Sequence, residues 1–89
     1  MLELIYRNTF EKDVKRVKTR GKDLAKLRQI IQYIVEEKEL PHKVHDHQLI
    51  GDFIGRRECH IESDGLLIYK MEPERVILER TGTHSDLFK

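Results

Sequence analysis

The last third of the chain constrains the fold most. Residues 56–62, 66–71 and 75–81 are three runs of extended-pattern residues, separated by Ser63-Asp64-Gly65 and Glu72-Pro73-Glu74. Connections that short join antiparallel neighbours, so the three runs predict a β-meander. Such a sheet needs something to cover its apolar face, and only the residues before it are numerous enough to do so.

Those residues supply helices. Leu2, Leu4 and Tyr6 alternate with Glu3 and Ile5, which reads as a short strand that is apolar on both faces and therefore inside a sheet. Asn8 is placed to cap a first helix, with Glu11 as its capping-box partner. Phe10, Val14 and Val17 form its buried stripe, and Arg20-Gly21 ends it. Leu24, Leu27, Ile30, Ile31, Ile34 and Val35 recur at helical spacing in a second helix, which a polar stretch and Pro41 close. A short turn makes the two an antiparallel hairpin. Residues 42–54 read as a loop anchored by Val44, Leu49 and Ile50, and residues 83–88 allow one terminal helical turn. The expectation is one α+β domain over residues 1–89: strand, helix hairpin, then the meander, with the helices on one face.

Charge points to a partner. Residues 7–28 carry nine basic side chains, among them Lys15, Arg16 and Lys22, against three acidic ones, so a net charge of +1 leaves the remainder at −5. A basic half on a near-neutral chain suits a polyanion such as RNA, because lysine and arginine release counterions from phosphates; a solvated helix face is the plainer alternative. No apolar run is long enough to span a membrane, and the first residues are too charged for a signal peptide. Cys59 is the single cysteine and reads as a core residue in a reducing cytoplasm.

Polar residues then stand where a plain core would not want them. Strand alternation puts Glu58, His60 and Glu62 on one face and Cys59 and Ile61 on the other. The apolar pair meets the helices, so the polar trio looks out of the opposite face, with Asp64 at the turn beyond it. His84 follows the last strand within reach of that face. Alternation places Arg80 with Val76 and Leu78 instead, so that either it lies past the edge of the helices or a bulge near Gly82 re-aims it. Zinc is disfavoured: His42, His45, His47, Cys59 and His60 are close in sequence, but there is no paired-cysteine motif and Cys59 points inward. There is no Gly-rich phosphate loop and no nucleophile elbow.

Histidines, a carboxylate and an arginine suffice for metal-free cleavage of RNA, which carries its own nucleophile in the 2′-hydroxyl. A base must take that proton, an acid must protonate the leaving 5′-oxygen, and positive charge must steady the phosphate. Imidazole can supply base and acid near neutral pH. Arginine offers a planar fork to phosphate oxygens, and Phe88 can stack on a base or simply pack at the terminus.

These residues resemble the RelE/ParE toxin superfamily, and within it the YafQ-like branch. The similarity runs through FEKDVK at Phe10 to Lys15, DHQLIG at Asp46 to Gly51, RECHI at Arg57 to Ile61, DGLLIYK at Asp64 to Lys70, and ERTGTHSDLF at Glu79 to Phe88. The resemblance implies a RelE-like fold and a ribosome-dependent endoribonuclease. Such a toxin cuts messenger RNA in the A site of the small ribosomal subunit, without a metal or other cofactor, and so inhibits translation. It implies a ribbon-helix-helix antitoxin of the RelB/DinJ kind as partner, with DNA reached only through that complex. It assigns His47, His60, Asp64, Arg80 and His84 to catalysis and Phe88 to the substrate. Glu58 departs from the family's usual shorter aspartate, and Gly65 stands where a bulky residue is common. His84 is then the acid, His60 or His47 with Asp64 the base, and Arg80 the phosphate contact. The alternatives from other classes are a ParE-like gyrase-binding toxin and an inactive RNA-binding relative.

Overall fold

A computed structural model describes residues 1–41, 47–48, 55–61 and 65–88. Strand β1 (Glu3–Tyr6) leads into helices α1 (Asn8–Thr19) and α2 (Ala25–Val35). Strands β2 (His47–Gln48), β3 (Arg57–His60), β4 (Leu66–Glu72) and β5 (Arg75–Gly82) follow, and α3 (His84–Leu87) ends the described chain. The sheet order is β1-β5-β4-β3-β2. β1 runs parallel to β5, and every other pair is antiparallel. The meander is therefore present as expected. The two-residue β2 is an addition, lying in a stretch that reads as loop.

Three details differ from the sequence expectation. β1 is an edge strand rather than an interior one, and Tyr6 is half exposed. The central places go to β4 and β5, where Leu66, Leu67, Ile68 and Tyr69 are all essentially inaccessible. An unbroken apolar run marks a strand buried on both faces, and β4 has a better one than β1. Second, α1 starts without a side-chain cap: Arg7 is its N-cap residue and Asn8 is already helical. Its start is fixed by β5 instead. The Arg7 N–H donates to the Leu78 carbonyl at 3.0 Å, and the Thr9 hydroxyl donates to the Glu79 carbonyl at 2.8 Å. Third, α2 ends at Val35, well before Pro41.

Both long helices finish with the same pair of backbone bonds. After α1, Gly21 N–H reaches the Lys18 carbonyl and Lys22 N–H the Val17 carbonyl; after α2, Glu37 reaches Ile34 and Lys38 reaches Tyr33. This closure needs a left-handed residue, which is Gly21 at φ 81° in the first case and Glu37 at φ 59° in the second.

The main core lies between the helices and one face of the sheet. It gathers Phe10, Leu27, Ile30, Ile34 and Val35 against Cys59, Leu67, Tyr69, Val76 and Leu78. The opposite face holds a separate small cluster of Leu66, Ile68 and Leu87. Leu87 belongs to α3, so burial of one leucine docks the terminal turn on the face away from the helices.

Candidate active site

β3 delivers the first histidine. Cys59 is fully buried toward the helices, so Glu58 and His60 stand on the other face, as alternation requires. Glu58 does not look out to solvent as the sequence implies; it is buried, at 5% exposure. Its Oε1 lies 3.6 Å from His60 Nε2, an ion-pair separation when the imidazole is protonated, and too long for a hydrogen bond. The His60 side chain is partly open to solvent.

α3 delivers the second. Thr83 caps it: the Asp86 N–H donates to Thr83 Oγ1 at 3.2 Å, and the Thr83 N–H donates to Asp86 Oδ2 at 3.0 Å. That reciprocal box, with Leu87 as anchor, sets the exposed His84 at the first position of the turn. The His60 and His84 rings have centroids 5.8 Å apart, and Phe88 continues the row 6.1 Å from His84. Residues 24 and 28 positions apart in sequence from His60 thus form one line of rings.

The Asp86 carboxylate does a second job. Arg20 grips it with Nη1 at 2.7 Å and Nη2 at 2.9 Å, and Arg16 Nε stands 4.0 Å away. The Arg20 bonds first, then the Thr83 N–H, hold the Asp86 carboxyl far below the usual carboxylate range. Gly82 makes room for it. At φ 144°, a Cβ there would sit 2.9 Å from Asp86 Oδ2, a clash with a carboxylate already fixed by its partners.

Arg80 has a different neighbourhood. The β4–β5 register passes from Tyr69↔Leu78 to Ile68↔Arg80, leaving Glu79 as the extra residue of a bulge. The bulge is thus at Glu79 and not near Gly82. Glu79 Oε2 accepts from Arg56 Nε at 2.7 Å. Arg80 turns to α1, where its Nε and Nη2 donate to Asp13 at 2.7 and 3.2 Å. That pairing raises the pKa of the Arg80 guanidinium. The structure therefore brings His60, His84 and Phe88 together, while Arg80, in register with Ile68, directs its guanidinium to Asp13 of α1.

The remaining candidates divide. His47 pairs through its backbone with Glu58, which puts it on the strand beside β3. Asp64, His42 and His45 lie outside the described residues. Lys15 and Lys22 are exposed, whereas Arg16 is half-exposed and donates inward to Asp13 at 2.8 Å. Cys59 faces the core and so cannot join His60 around a metal, and no cluster of three metal-ligating side chains occurs among the described residues. No helix among them is long and apolar enough to cross a membrane.

Sequence reasoning missed Asp13. It sits on the same stripe as Phe10, Val14 and Val17, three residues after Phe10, and is only 3% exposed. A carboxylate on an apolar stripe was the available signal.

The family model described as "Bacterial toxin of type II toxin-antitoxin system, YafQ" matches residues 2–89. The chain belongs to the YafQ toxin family. The mRNA interferase toxin YafQ of Escherichia coli K12 is 38% identical over 87 residues, covering 97% of this chain and 95% of the relative. Among solved structures, YafQ from E. coli BL21(DE3) superposes with a TM-score of 0.95 at 36% identity, with all of both chains covered. YafQ in the E. coli DinJ–YafQ complex gives 0.93 at 37% identity, again with full coverage of both. A copper-bound mutant toxin from Helicobacter pylori gives 0.93 at 35% identity, covering 99% of this chain and all of that one. YafQ membership agrees with the RelE-like α+β fold described above.

Proposed function

We propose that the chain is a messenger-RNA endoribonuclease of a toxin–antitoxin pair, acting in the ribosomal A site and held inactive by a DinJ-like ribbon-helix-helix antitoxin. The observation that carries the reading is the approach of His60 and His84 to 5.8 Å on an open face, with Phe88 beside them. Two imidazoles at that spacing can attend the two sides of one phosphate. The name of the E. coli relatives, mRNA interferase toxin, supplies the substrate class. The DinJ–YafQ complex supplies the partner class.

In this mechanism His60, or His47 with Asp64, takes the proton of the 2′-hydroxyl. The 2′-oxygen attacks the adjacent phosphorus, and the P–O5′ bond breaks. His84 gives its proton to the departing 5′-oxygen, leaving a 2′,3′-cyclic phosphate and a 5′-hydroxyl. Glu58 Oε1 stands 3.6 Å from His60 Nε2, within ion-pair distance of the imidazolium formed once His60 has accepted a proton. Arg80 stabilises the charge that develops on the phosphate. Phe88 stacks on a base of the codon, and Lys15, Arg16 and Lys22 meet phosphates of the surrounding RNA. The basic first half and the histidine face make different contributions: the former holds the polyanion, the latter reacts.

The test is toeprinting on ribosomes stalled with a defined A-site codon. The protein should cut inside that codon, and His84→Ala should abolish cutting while leaving thermal unfolding unchanged. Equal cutting by the variant would remove His84 from the chemistry. Absence of cuts by the parent protein, with inhibition of gyrase supercoiling, would point to the ParE-like alternative.

A further inference from the structure

We propose that Asp13, on the buried side of α1, is a positioning residue that fixes the guanidinium of Arg80 for the scissile phosphate. The inference rests on the reading of Arg80 given above and assigns a role to a residue with no place in that chemistry itself.

Asp13 is a buried carboxylate with four donors. Oδ2 accepts from Arg80 Nε at 2.7 Å and from the Thr81 N–H at 3.1 Å. Oδ1 accepts from Arg80 Nη2 at 3.2 Å and from Arg16 Nη2 at 2.8 Å. Two carboxylate oxygens offer about four lone-pair positions, so this acceptor is saturated. Saturation matters for aim. A guanidinium bound through Nε and Nη2 has its plane fixed, and only the Nη1 corner is left to turn toward a ligand. An arginine side chain without such a clamp would have to be ordered when substrate binds.

The location of the clamp is also specific. Arg80 follows the bulge at Glu79, where the ladder is interrupted and the strand's own hydrogen bonds constrain direction least. Asp13 grips both the side chain of Arg80 and the backbone of Thr81, the next residue, so it fixes the strand and its side chain together. Arg16 carries the connection onward, standing between Asp13 and Asp86, which caps the turn bearing His84. One carboxylate therefore relates the arginine to the element that carries the histidine.

A purely structural carboxylate would hold α1 on β5 and nothing more. The two roles separate in a double-mutant cycle on A-site cleavage under single-turnover conditions. Arg80→Ala, Asp13→Asn and the double variant are compared at saturating and limiting toxin, with unfolding midpoints measured for each. Asp13→Asn is nearly isosteric and keeps the fold testable; Asp13→Glu serves as the second variant, restoring charge at the wrong distance.

Asp13→Asn is expected to lower the cleavage rate constant by about 10²-fold, the scale of an ångström-level misplacement, with apparent affinity little changed. In the Arg80→Ala background the same change should cost nothing further. Asp13→Glu should remain impaired although its charge is restored. Additive losses in the double variant would overturn the proposal, as would full activity of Asp13→Asn. Full activity of Arg80→Ala overturns it too, because there would be nothing to position. Failure of the whole catalytic reading is told apart from these results by the parent protein, which would then make no cut in the codon.

Discussion

The two faces of the sheet are built on different scales. Toward the helices, residues from both helices and three strands interlock in one apolar cluster. On the other face, Leu66, Ile68 and Leu87 make a patch just large enough to dock a four-residue turn, and the ring row of His60, His84 and Phe88 stands beside it. A small chain has little apolar area to spend. Concentrating it on one face leaves the other free to carry polar, partly exposed groups. The difference teaches that global stability and the geometry of the candidate site should respond to separate mutations.

A matched pair of truncations tests that separation. Leu78→Ala, on the helix-covered face of β5, should cost about 2–5 kcal/mol, enough to unfold much of the population at physiological temperature. Leu87→Ala should cost less, on the order of 2 kcal/mol or below, because α3 is peripheral and can detach locally. Cleavage by Leu87→Ala should nonetheless fall more than its unfolding midpoint suggests, since the turn holding His84 loses its anchor. Chemical denaturation and toeprinting on the same two proteins provide the comparison. Equal ratios of lost activity to lost stability would dissolve it.

Acid should act on the outer face through Asp86. Its folded-state pKa is depressed by Arg20 and the Thr83 N–H, so ionised Asp86 contributes stability that is fully present above the ordinary carboxylate value of about 4. That contribution is lost as pH falls from there toward the depressed value. Asp86→Asn should therefore lower stability near neutrality and converge on the parent protein at acid pH, flattening part of the acid limb of a stability-against-pH curve. Arg20 is solvent-exposed, so salt should weaken the effect.

The smallest effect belongs to the helix ends. Gly21 adopts its left-handed φ at little cost, whereas Glu37 adopts one that a side chain opposes. Glu37→Gly should stabilise by no more than about 1 kcal/mol in thermal unfolding, with cleavage unchanged. A loss of stability would mean that the Glu37 side chain contributes more than its backbone strain costs.

Much of this was legible beforehand, and the residues show why. The meander followed from turn residues at fixed offsets, and α2 from six apolar positions at helical spacing. His60 facing away from Cys59 followed from alternation alone. The start of α1 was misread because Asn8 is a good local capping residue, while the bonds that place the helix come from β5, some seventy residues later. Arg80 could not be oriented because a bulge changes the parity of a strand, and nothing in the local sequence marks Glu79 as the extra residue. Glu58 looked like a surface acid by residue type.

The sequence by itself determined the class of every major element and which face of β3 would carry its histidine, because those properties repeat with a period that neighbouring residues already display. Only the tertiary structure decided that β1 lies at an edge, that Asp13 meets Arg80, and that His84 closes on His60. Such pairings depend on register and docking between distant segments, and the energies that choose them belong to both partners at once.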